Sequence, residues 1–555
     1  MRKGILMAEN DHLMEGAKME FDKTNYIDVN LIPNCPNPTP DYYCTWQTQL
    51  YVTSDGKPAA QRAIIGEKAL FDREKPYGWA YFYEKARRDL FLVMDDSWDV
   101  PVEGGADYYG CLCLNAEKFP EATGGAVSNA KALKRLTEKI RALGWKGLGG
   151  WVCAQESDRF IGEKSVEEYW TERMLDAKES GFAYWKVDWG KKGGDPDFRR
   201  MLTDMGRRLA PDLIIEHAIT KSVIPYADTY RTYDVPAIMS IPMTMEKIRD
   251  YSDTEKPREG YLGLINCEDE AYIAAAGGFA MGIMRHPYVG ELPDGRADMS
   301  FPEVHRNLKR KMTEVVRAAR WHRMAPAFGV GGDEIVIDTN ELVDSWRFMN
   351  ASEEIENWWL KNMPPIRDHI KDHVLVKSGP ARIGRRTELP EVKPDKLGRM
   401  PYVVAARNPN GAYSIVTAGR TMEREYDIPL CDVTAKIGDA CVIGIFGRYK
   451  SLTLEGNQDV VFGTAPETVS DVVPEGVNRK LIKILAQDLA DDKAYDITEF
   501  VVTAGGKITV PGTVIDEIGT LAQPREDTSE PGLVLKIQEF EKIDDKEGKT
   551  EGRSI

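Results

Sequence analysis

The sequence predicts an α/β fold, a (β/α)8 barrel over about 41–330 followed by an antiparallel β-sandwich-like domain over 331–545. Two observations predict the barrel. From about residue 40 to 330, short apolar runs alternate with amphipathic helical patterns, as βα units on a parallel sheet require. The candidate strands in that stretch also number eight. The third observation is a change of texture past about residue 330, where β-rich segments are broken by turns.

Taken in order, residues 1–40 form an N-terminal extension. The candidate barrel strands are Tyr42–Thr48, Leu90–Trp98, Trp145–Cys153, Ala183–Trp189, Leu213–Ala218, Thr229–Val235, Leu262–Asn266 and Ala280–Arg285. Two intervening helices are well marked. After Ser128, the residues Leu133, Leu136, Ile140 and Leu143 recur at helical spacing, and Gly144 closes the run. Asp195 as N-cap and Pro196 at the first helical position open the next, with Phe198, Met201, Leu202, Met205 and Leu209 as its apolar stripe. The basic run Arg306–Lys311 is expected on the solvated side of a further helix. In the second domain, Ile335–Asp338, Leu342–Phe348, Tyr402–Ala406 and Tyr413–Thr417 read as strands, the last two joined across Asn410-Gly411 as a hairpin. A helix-like stretch covers Ser352–Leu360, Pro380–Arg399 reads as a long excursion, and strands resume to about Phe540. The charged or small residues from Glu541 lead into a frayed tail at 546–555.

Composition narrows the function. The 555 residues carry 73 basic and 89 acidic side chains, a formal charge of −16, with 42% hydrophobic content, enough for a real core. The acidity disfavours nucleic acid or an anionic membrane as partner, since either asks for a dense basic patch. The apolar stretch Tyr272–Met284 is too short to span a bilayer, and the N-terminus lacks the apolar run of a secretory signal, so a cytoplasmic location is expected. The cysteines at 35, 44, 111, 113, 153, 267, 431 and 441 include no CxxC pair, which argues against a disulfide framework or structural zinc. Cys111 and Cys113 would share one face of a strand as buried thiols. GxGxxG and GxxxxGK[ST] are absent, and the glycines from Gly329 to Gly332 precede Asp333-Glu334, which would repel a phosphate; no metal or organic cofactor is expected.

In a (β/α)8 barrel, chemistry gathers where strands end. Those ends are acidic and aromatic here: Trp46 on strand one, Asp95-Asp96-Ser97-Trp98 after strand two, Trp151 to Glu156 after strand three, Trp185 to Gly190 at strand four, Glu216-His217 at strand five and Arg231 to Asp234 at strand six. Two carboxylates on separate strand ends can cleave a glycosidic bond, one ionised as nucleophile and one protonated to serve the leaving oxygen. Lys186 lies on the same strand face as Asp188 and would keep it ionised, and Asp234, without so close a lysine, suits the acid/base role.

The ordered motifs resemble clan-D retaining α-glycosidases, glycoside hydrolase families 27 and 36, over about residues 40–330. The D-D-x-W motif is matched by Asp95-Asp96-Ser97-Trp98, the K-x-D motif by Lys186-Val187-Asp188 and the R-x-x-D-like motif by Arg231 to Asp234. The resemblance implies Asp188 as nucleophile, Asp234 as acid/base, and Trp46, Asp95, Asp96, Lys186 and Arg231 as sugar binders. Trp151, Glu216 and Asp269 are further candidates for sugar contact, Glu216 as a residue that selects galactose and Asp269 by its place in Asn266 to Glu270. His217, on the opposite face, is expected to be a packed histidine. Where family 27 carries a cysteine after the nucleophile, disulfide-linked to one after strand three, this chain has Trp189-Gly190-Lys191-Lys192, and Cys153 lacks that partner. The implied activity is release of a terminal α-galactose-type residue from an oligosaccharide or glycoside by a single chain or a homo-oligomer. The alternatives are an α-N-acetylgalactosaminidase and, from another class, a catalytically silent carbohydrate-binding barrel.

Overall fold

The structure is a computed structural model and describes residues 22–53, 58–232, 239–254, 263–288, 308–347, 370–371, 374–457, 460–463 and 478–540. Eight parallel strands make the first sheet: β1 (Tyr42–Cys44), β2 (Phe91–Met94), β3 (Gly147–Val152), β4 (Tyr184–Val187), β5 (Ile214–His217), β6 (Thr229–Arg231), β7 (Leu264–Asn266) and β8 (Gly282–Ile283). Neighbours follow chain order, and β1 pairs with both β2 and β8. The remaining gap is bridged by two backbone bonds, Cys267 N–H to the Ala280 carbonyl at 3.0 Å and Asp269 N–H to the Gly282 carbonyl at 2.7 Å. The sheet therefore closes into a barrel.

Alternation divides the side chains. Tyr42, Cys44, Phe91, Val93 and Tyr184 pack inside the barrel with Trp46 and Met284, while Tyr43, Leu92, Met94, Leu148, Trp185, Val187 and Ile215 join the outer layer beneath the helices. β3 is glycine-rich because Tyr184 needs the space; a Cβ on Gly149 would sit 2.5 Å from that of Tyr184.

Each expected strand is present but shorter. Trp46, expected on β1, instead opens α1 (Trp46–Val52), because the chain turns at Thr45 (ψ −4°) once its N–H has bonded the Val93 carbonyl at 3.1 Å. Around the barrel stand α2 (Asn129–Ala142), capped by Ser128, α3 (Val166–Ser180), with a Ser165/Glu168 capping box, and α4 (Pro196–Leu209), capped by Asp195. They are followed by α5 (Ser240–Ser252), α6 (Ala271–Gly277) and α7 (Met312–Trp321).

The C-terminal domain is a sandwich. One sheet is built around Gly532–Phe540, Val442–Phe446, Tyr413–Ala418 and Tyr402–Arg407, the other around Asp432–Gly438, Ser451–Gly456 and Lys507–Pro511. Val403, Ile415, Val433, Ile443, Leu452, Ile508 and Leu535 share the core between them. The Asn410-Gly411 hairpin is formed, with Gly411 at φ +90°. Antiparallel pairs dominate, with parallel pairs such as Tyr413–Ala418 on Val442–Phe446 among them.

Three local expectations are corrected. Lys309 and Lys311 are buried rather than solvated, because Leu308–Arg310 is a 3₁₀ turn and the Lys311 ammonium is held by Glu314 at 3.4 Å and Glu530 at 3.1 Å. Cys111 and Cys113 lie in a loop, where Leu112 has φ +52° and Asp99 accepts from the Cys111 thiol and the Leu112 N–H. The Pro380–Arg399 excursion contains the strands Arg382–Arg385 and Glu391–Lys393. The stretch Ser352–Leu360 and the tail from Glu541 lie outside the described residues. Among the described residues, no helix is long and apolar enough to cross a membrane.

Candidate active site

The strand ends bring two charged clusters together at the C-terminal mouth of the barrel. In the first, the Lys186 ammonium on β4 lies 2.8 Å from Asp95 Oδ2, beyond the end of β2. The Cys44 thiol of β1 donates to the same oxygen at 2.9 Å, and Lys186 Nζ is 3.5 Å from the sulfur. Burial raises the Cys44 thiol far above its ordinary range, so it stays a donor. Burial pushes the Lys186 ammonium toward losing its proton, but the negative groups around it, Asp95 foremost, together outweigh burial and hold it protonated.

The second cluster centres on Arg231 at the end of β6. Its Nη2 lies 2.6 Å from Asp188 Oδ1, and its Nε lies 3.7 Å from Glu216 and 3.8 Å from Glu268. Trp151, at the end of β3, donates its indole N–H to Asp188 Oδ2 at 3.1 Å. Burial pushes the Asp188 carboxyl up, yet the Arg231 and Lys186 charges and the Trp151 hydrogen bond outweigh it and leave Asp188 below the ordinary carboxylate value. Glu216 sits deeper, accepting from Tyr184 at 2.7 Å, Asn266 at 2.6 Å and Tyr42 at 3.4 Å, and burial raises it despite the Arg231 cation. Exposure separates the acids: the Asp188 side chain is 17% exposed, against 0% for Glu216, 1% for Glu268 and 4% for Asp95. Asp188 is thus the carboxylate of this group that an incoming molecule meets.

The other candidates are placed as follows. Trp46 lines the interior beside Cys44 and Val93. Asp96 lies on the rim, accepting from Ser97 Oγ at 2.7 Å and facing Arg62 Nε at 3.4 Å, with burial raising its carboxyl to about 6. Asp269 stands apart from both clusters. In the left-handed region at φ +57°, it accepts from the N–H groups of Met284 and Arg285 and pairs with the Arg285 guanidinium, so it pins β7 to β8. His217 faces outward onto Thr203 Oγ1 at 2.8 Å, buried and with its imidazole held well below its ordinary pKa by burial and by Arg199. Asp234 lies outside the described residues.

Several members of this arrangement carry no motif of their own. Glu268, Asn266, Tyr184 and Cys44 join it through cross-strand register, and Arg199 of α4 supports it from beneath by donating to the carbonyls of Val187 at 3.1 Å and Asp188 at 2.5 Å. The β3 and β4 ends, which the resemblance would link by a disulfide, are tied by backbone bonds from Ala154 N–H to the Trp189 carbonyl at 2.8 Å and from Lys192 N–H to the Ala154 carbonyl at 2.9 Å. Gly190 permits this approach, since at φ +152° its Cβ would meet the Ala154 backbone at 2.7 Å. Among the described residues no group of histidines, cysteines and carboxylates has the geometry to hold a metal ion.

No protein-family model matches the sequence, and no curated protein matches it. Solved structures do. The chain is similar to a family-27 β-L-arabinopyranosidase from Geobacillus stearothermophilus at 9% identity and TM-score 0.38, covering 90% of this chain and 97% of that one. It is similar to α-galactosidase I from Mortierella vinacea at 10% identity and TM-score 0.38, covering 90% and 96%. It is also similar to an α-galactosidase from Saccharomyces cerevisiae at 9% identity and TM-score 0.35, covering 91% and 100%.

Proposed function

We propose that the chain is a retaining exo-α-glycosidase that releases terminal α-galactose-type residues, with Asp188 as nucleophile and Asp234 as acid/base. The observation that carries the reading is the state of Asp188: ionised, at the end of a barrel strand, and more open to solvent than the acids packed around it. Each of its oxygens receives one hydrogen bond, from Arg231 or Trp151, and keeps a lone pair. One oxygen forms a bond to the anomeric carbon as Asp234 protonates the departing glycosidic oxygen. Water, deprotonated by Asp234, then displaces Asp188 and restores the anomeric configuration. Asp95, Asp96 and Lys186 supply acceptors and a donor for sugar hydroxyls, Trp46 supplies an apolar face for its C–H groups, and Trp151, itself buried, acts through its N–H on Asp188. Glu216 enters as the buried partner of Arg231, and Asp269 as a residue of the mouth whose carboxylate is committed to Arg285.

The test is turnover of p-nitrophenyl α- and β-glycosides, galactosides and N-acetylgalactosaminides included. Asp188→Gly is expected to be inactive, with azide restoring turnover as a glycosyl azide of inverted configuration. Asp234→Ala is expected to keep activity on good leaving groups and to give a retained azide product. The same azide stereochemistry from both variants would end the assignment. A carbohydrate-binding barrel without turnover is the second reading, favoured by the 2.6 Å pairing of Asp188 with Arg231; it predicts sugar binding with no hydrolysis of any member of the panel.

A further inference from the structure

Cys111 and Cys113 flank a residue held in an uncommon conformation. Leu112 sits in the left-handed region at φ +52°, where side chains with a Cβ are rare, and two fixed groups keep it there. Asp99 Oδ2 accepts from its N–H at 3.0 Å. Asn129, at the start of α2, donates to its carbonyl at 3.0 Å and accepts from Leu114 N–H at 3.0 Å. The turn pinned in this way leaves the two thiols hydrogen-bonded to each other. They differ in access, since Cys111 is buried and Cys113 is half-buried.

Their surroundings differ as well. Arg173 of α3, only 8% exposed, points Nη1 at the Cys113 sulfur from 3.5 Å. Its own acids, Asp176 at 3.6 Å and Glu172 at 3.7 Å, stand farther off than the roughly 2.7–2.9 Å of a charge-assisted hydrogen bond. Its buried Nε meets no acceptor among the described residues. A cation that its carboxylates neutralise loosely thus faces a thiol. The hydrogen bond from Cys111, joined by the Arg173 charge, holds Cys113 below the ordinary thiol range against burial. That same bond, with burial and the nearby Asp99, pushes Cys111 far above it. Asp99 Oδ2 is 3.7 Å from the Cys111 sulfur, and Oδ1, also buried, receives no hydrogen bond among the described residues. An accessible thiol beside a cation, backed by a protonated thiol beside a carboxylate, suits an attacking and a resolving cysteine.

We propose that Cys111 and Cys113 form a redox-active dithiol that peroxides oxidise to a reversible disulfide, Cys113 attacking and Cys111 resolving. The Cys113 sulfur bonds to one peroxide oxygen, the O–O bond breaks, and the other oxygen leaves as water with the thiol proton, which makes a sulfenic acid. The Cys111 sulfur then displaces hydroxide from Cys113 while its proton passes to Asp99 and on to that hydroxide. Two thiols and one hydrogen peroxide give one disulfide and two waters. A disulfide across so short a loop is strained and therefore easily reduced. The inference is independent of the glycosidase reading.

The test adds hydrogen peroxide to the full, reduced chain and then blocks the remaining thiols with iodoacetamide. Mass spectrometry reads the tryptic peptide Asp89–Lys118, which holds these two cysteines and no other. It should become lighter by two hydrogens and resist alkylation before the exposed Cys35 and Cys441 react, and dithiothreitol should reverse the change. In Cys111→Ser, Cys113 should stop at a sulfenic acid that dimedone captures. In Cys113→Ser, Cys111 should stay a thiol. Arg173→Met should slow oxidation of the pair severalfold, and Arg173→Lys, which keeps the charge, should recover part of the rate. Dimedone on Cys111, or oxidation of Cys35 and Cys441 ahead of the pair in the wild type, would overturn the proposal.

Discussion

Asp188 illustrates how a single half-buried carboxylate is held ionised by neighbours from three strands. Burial opposes its charge, and Arg231, Lys186 and Trp151 together prevail. The other groups acting on this balance are Glu216 and Glu268 around Arg231, Asp95 on Lys186, and Arg199 beneath the strand. Removing the guanidinium in Arg231→Met should therefore let burial dominate, moving the acidic limb of kcat/KM for p-nitrophenyl α-galactoside to higher pH; an unmoved limb would assign that limb to another group. Asp96 has the opposite sign. Its folded value of about 6 exceeds the ordinary 3.8, so the native state holds its proton more tightly than the unfolded chain, and that stability, complete below about pH 4, is lost as pH rises through about 6. The shift corresponds to roughly 3 kcal/mol. Asp96→Asn should accordingly be more stable than wild type at pH 7 and indistinguishable near pH 3.5 by urea denaturation, whereas a constant difference across that range would contradict the buried-acid account. These groups are readable one residue at a time, because Asp95, Asp96, Lys186 and Asp188 belong to short motifs at strand ends. Glu268 and Asn266 are not, since their roles come from register, β6 on β7 setting Arg231 opposite Asn266.

The link between β3 and β4 shows what an element-scale contact can replace. The loop after Asp188 returns to Ala154 through backbone hydrogen bonds, at a separation no side chain at 190 would allow. Gly190→Ala adds a Cβ at 2.7 Å from the Ala154 backbone, in a conformation that L residues avoid. It should cost about 1–3 kcal/mol and displace Trp189, read as a lower denaturation midpoint together with a changed tryptophan emission; a variant of unchanged stability would mean that the loop can move away freely. The elements themselves are largely readable in sequence, and the reason is local. The caps Ser128 and Asp195 act within three residues, and strand alternation has period two. Strand ends are less readable, because a strand stops where its neighbour stops offering partners: Cys44 is the last β1 residue to pair with β2, and the helix begins at Trp46. The basic Lys309–Lys311 misleads for the complementary reason, since the acids that bury it, Glu314 and above all Glu530, lie on α7 and in the second domain.

At the scale of the whole molecule, barrel and sandwich share surfaces that neither could expose alone. Every residue of α6 is buried, and its apolar sequence, too short for a membrane, is that of a helix covered on all sides. Ser414 of the sandwich donates to the Ala276 carbonyl at 2.9 Å, Tyr272 packs on Phe446 with centroids 4.8 Å apart, and Arg385 reaches from Arg382–Arg385 to the carbonyls of Gly277 and Gly278, closing the helix C-terminus. α7 is treated alike: Trp321 is wholly buried, and Arg317 forms a two-pronged pair with Asp488 at 2.8 and 3.0 Å, both side chains fully enclosed. Removing one partner of such a pair strands the other charge, so Arg317→Met should cost about 3–5 kcal/mol, and adding Asp488→Leu should recover part of the loss. If the two domains are one folding unit, heat should unfold the full chain in a single transition, followed alike by calorimetry and by tryptophan emission. A fragment of residues 22–330 would leave α6 and α7 with bare apolar faces and Arg317 without Asp488. Its expected state is an expanded species that binds hydrophobic dyes and lacks a cooperative thermal transition. A soluble fragment with sharp unfolding and native near-ultraviolet dichroism would instead show that the sandwich is an accessory laid on a barrel that stands by itself.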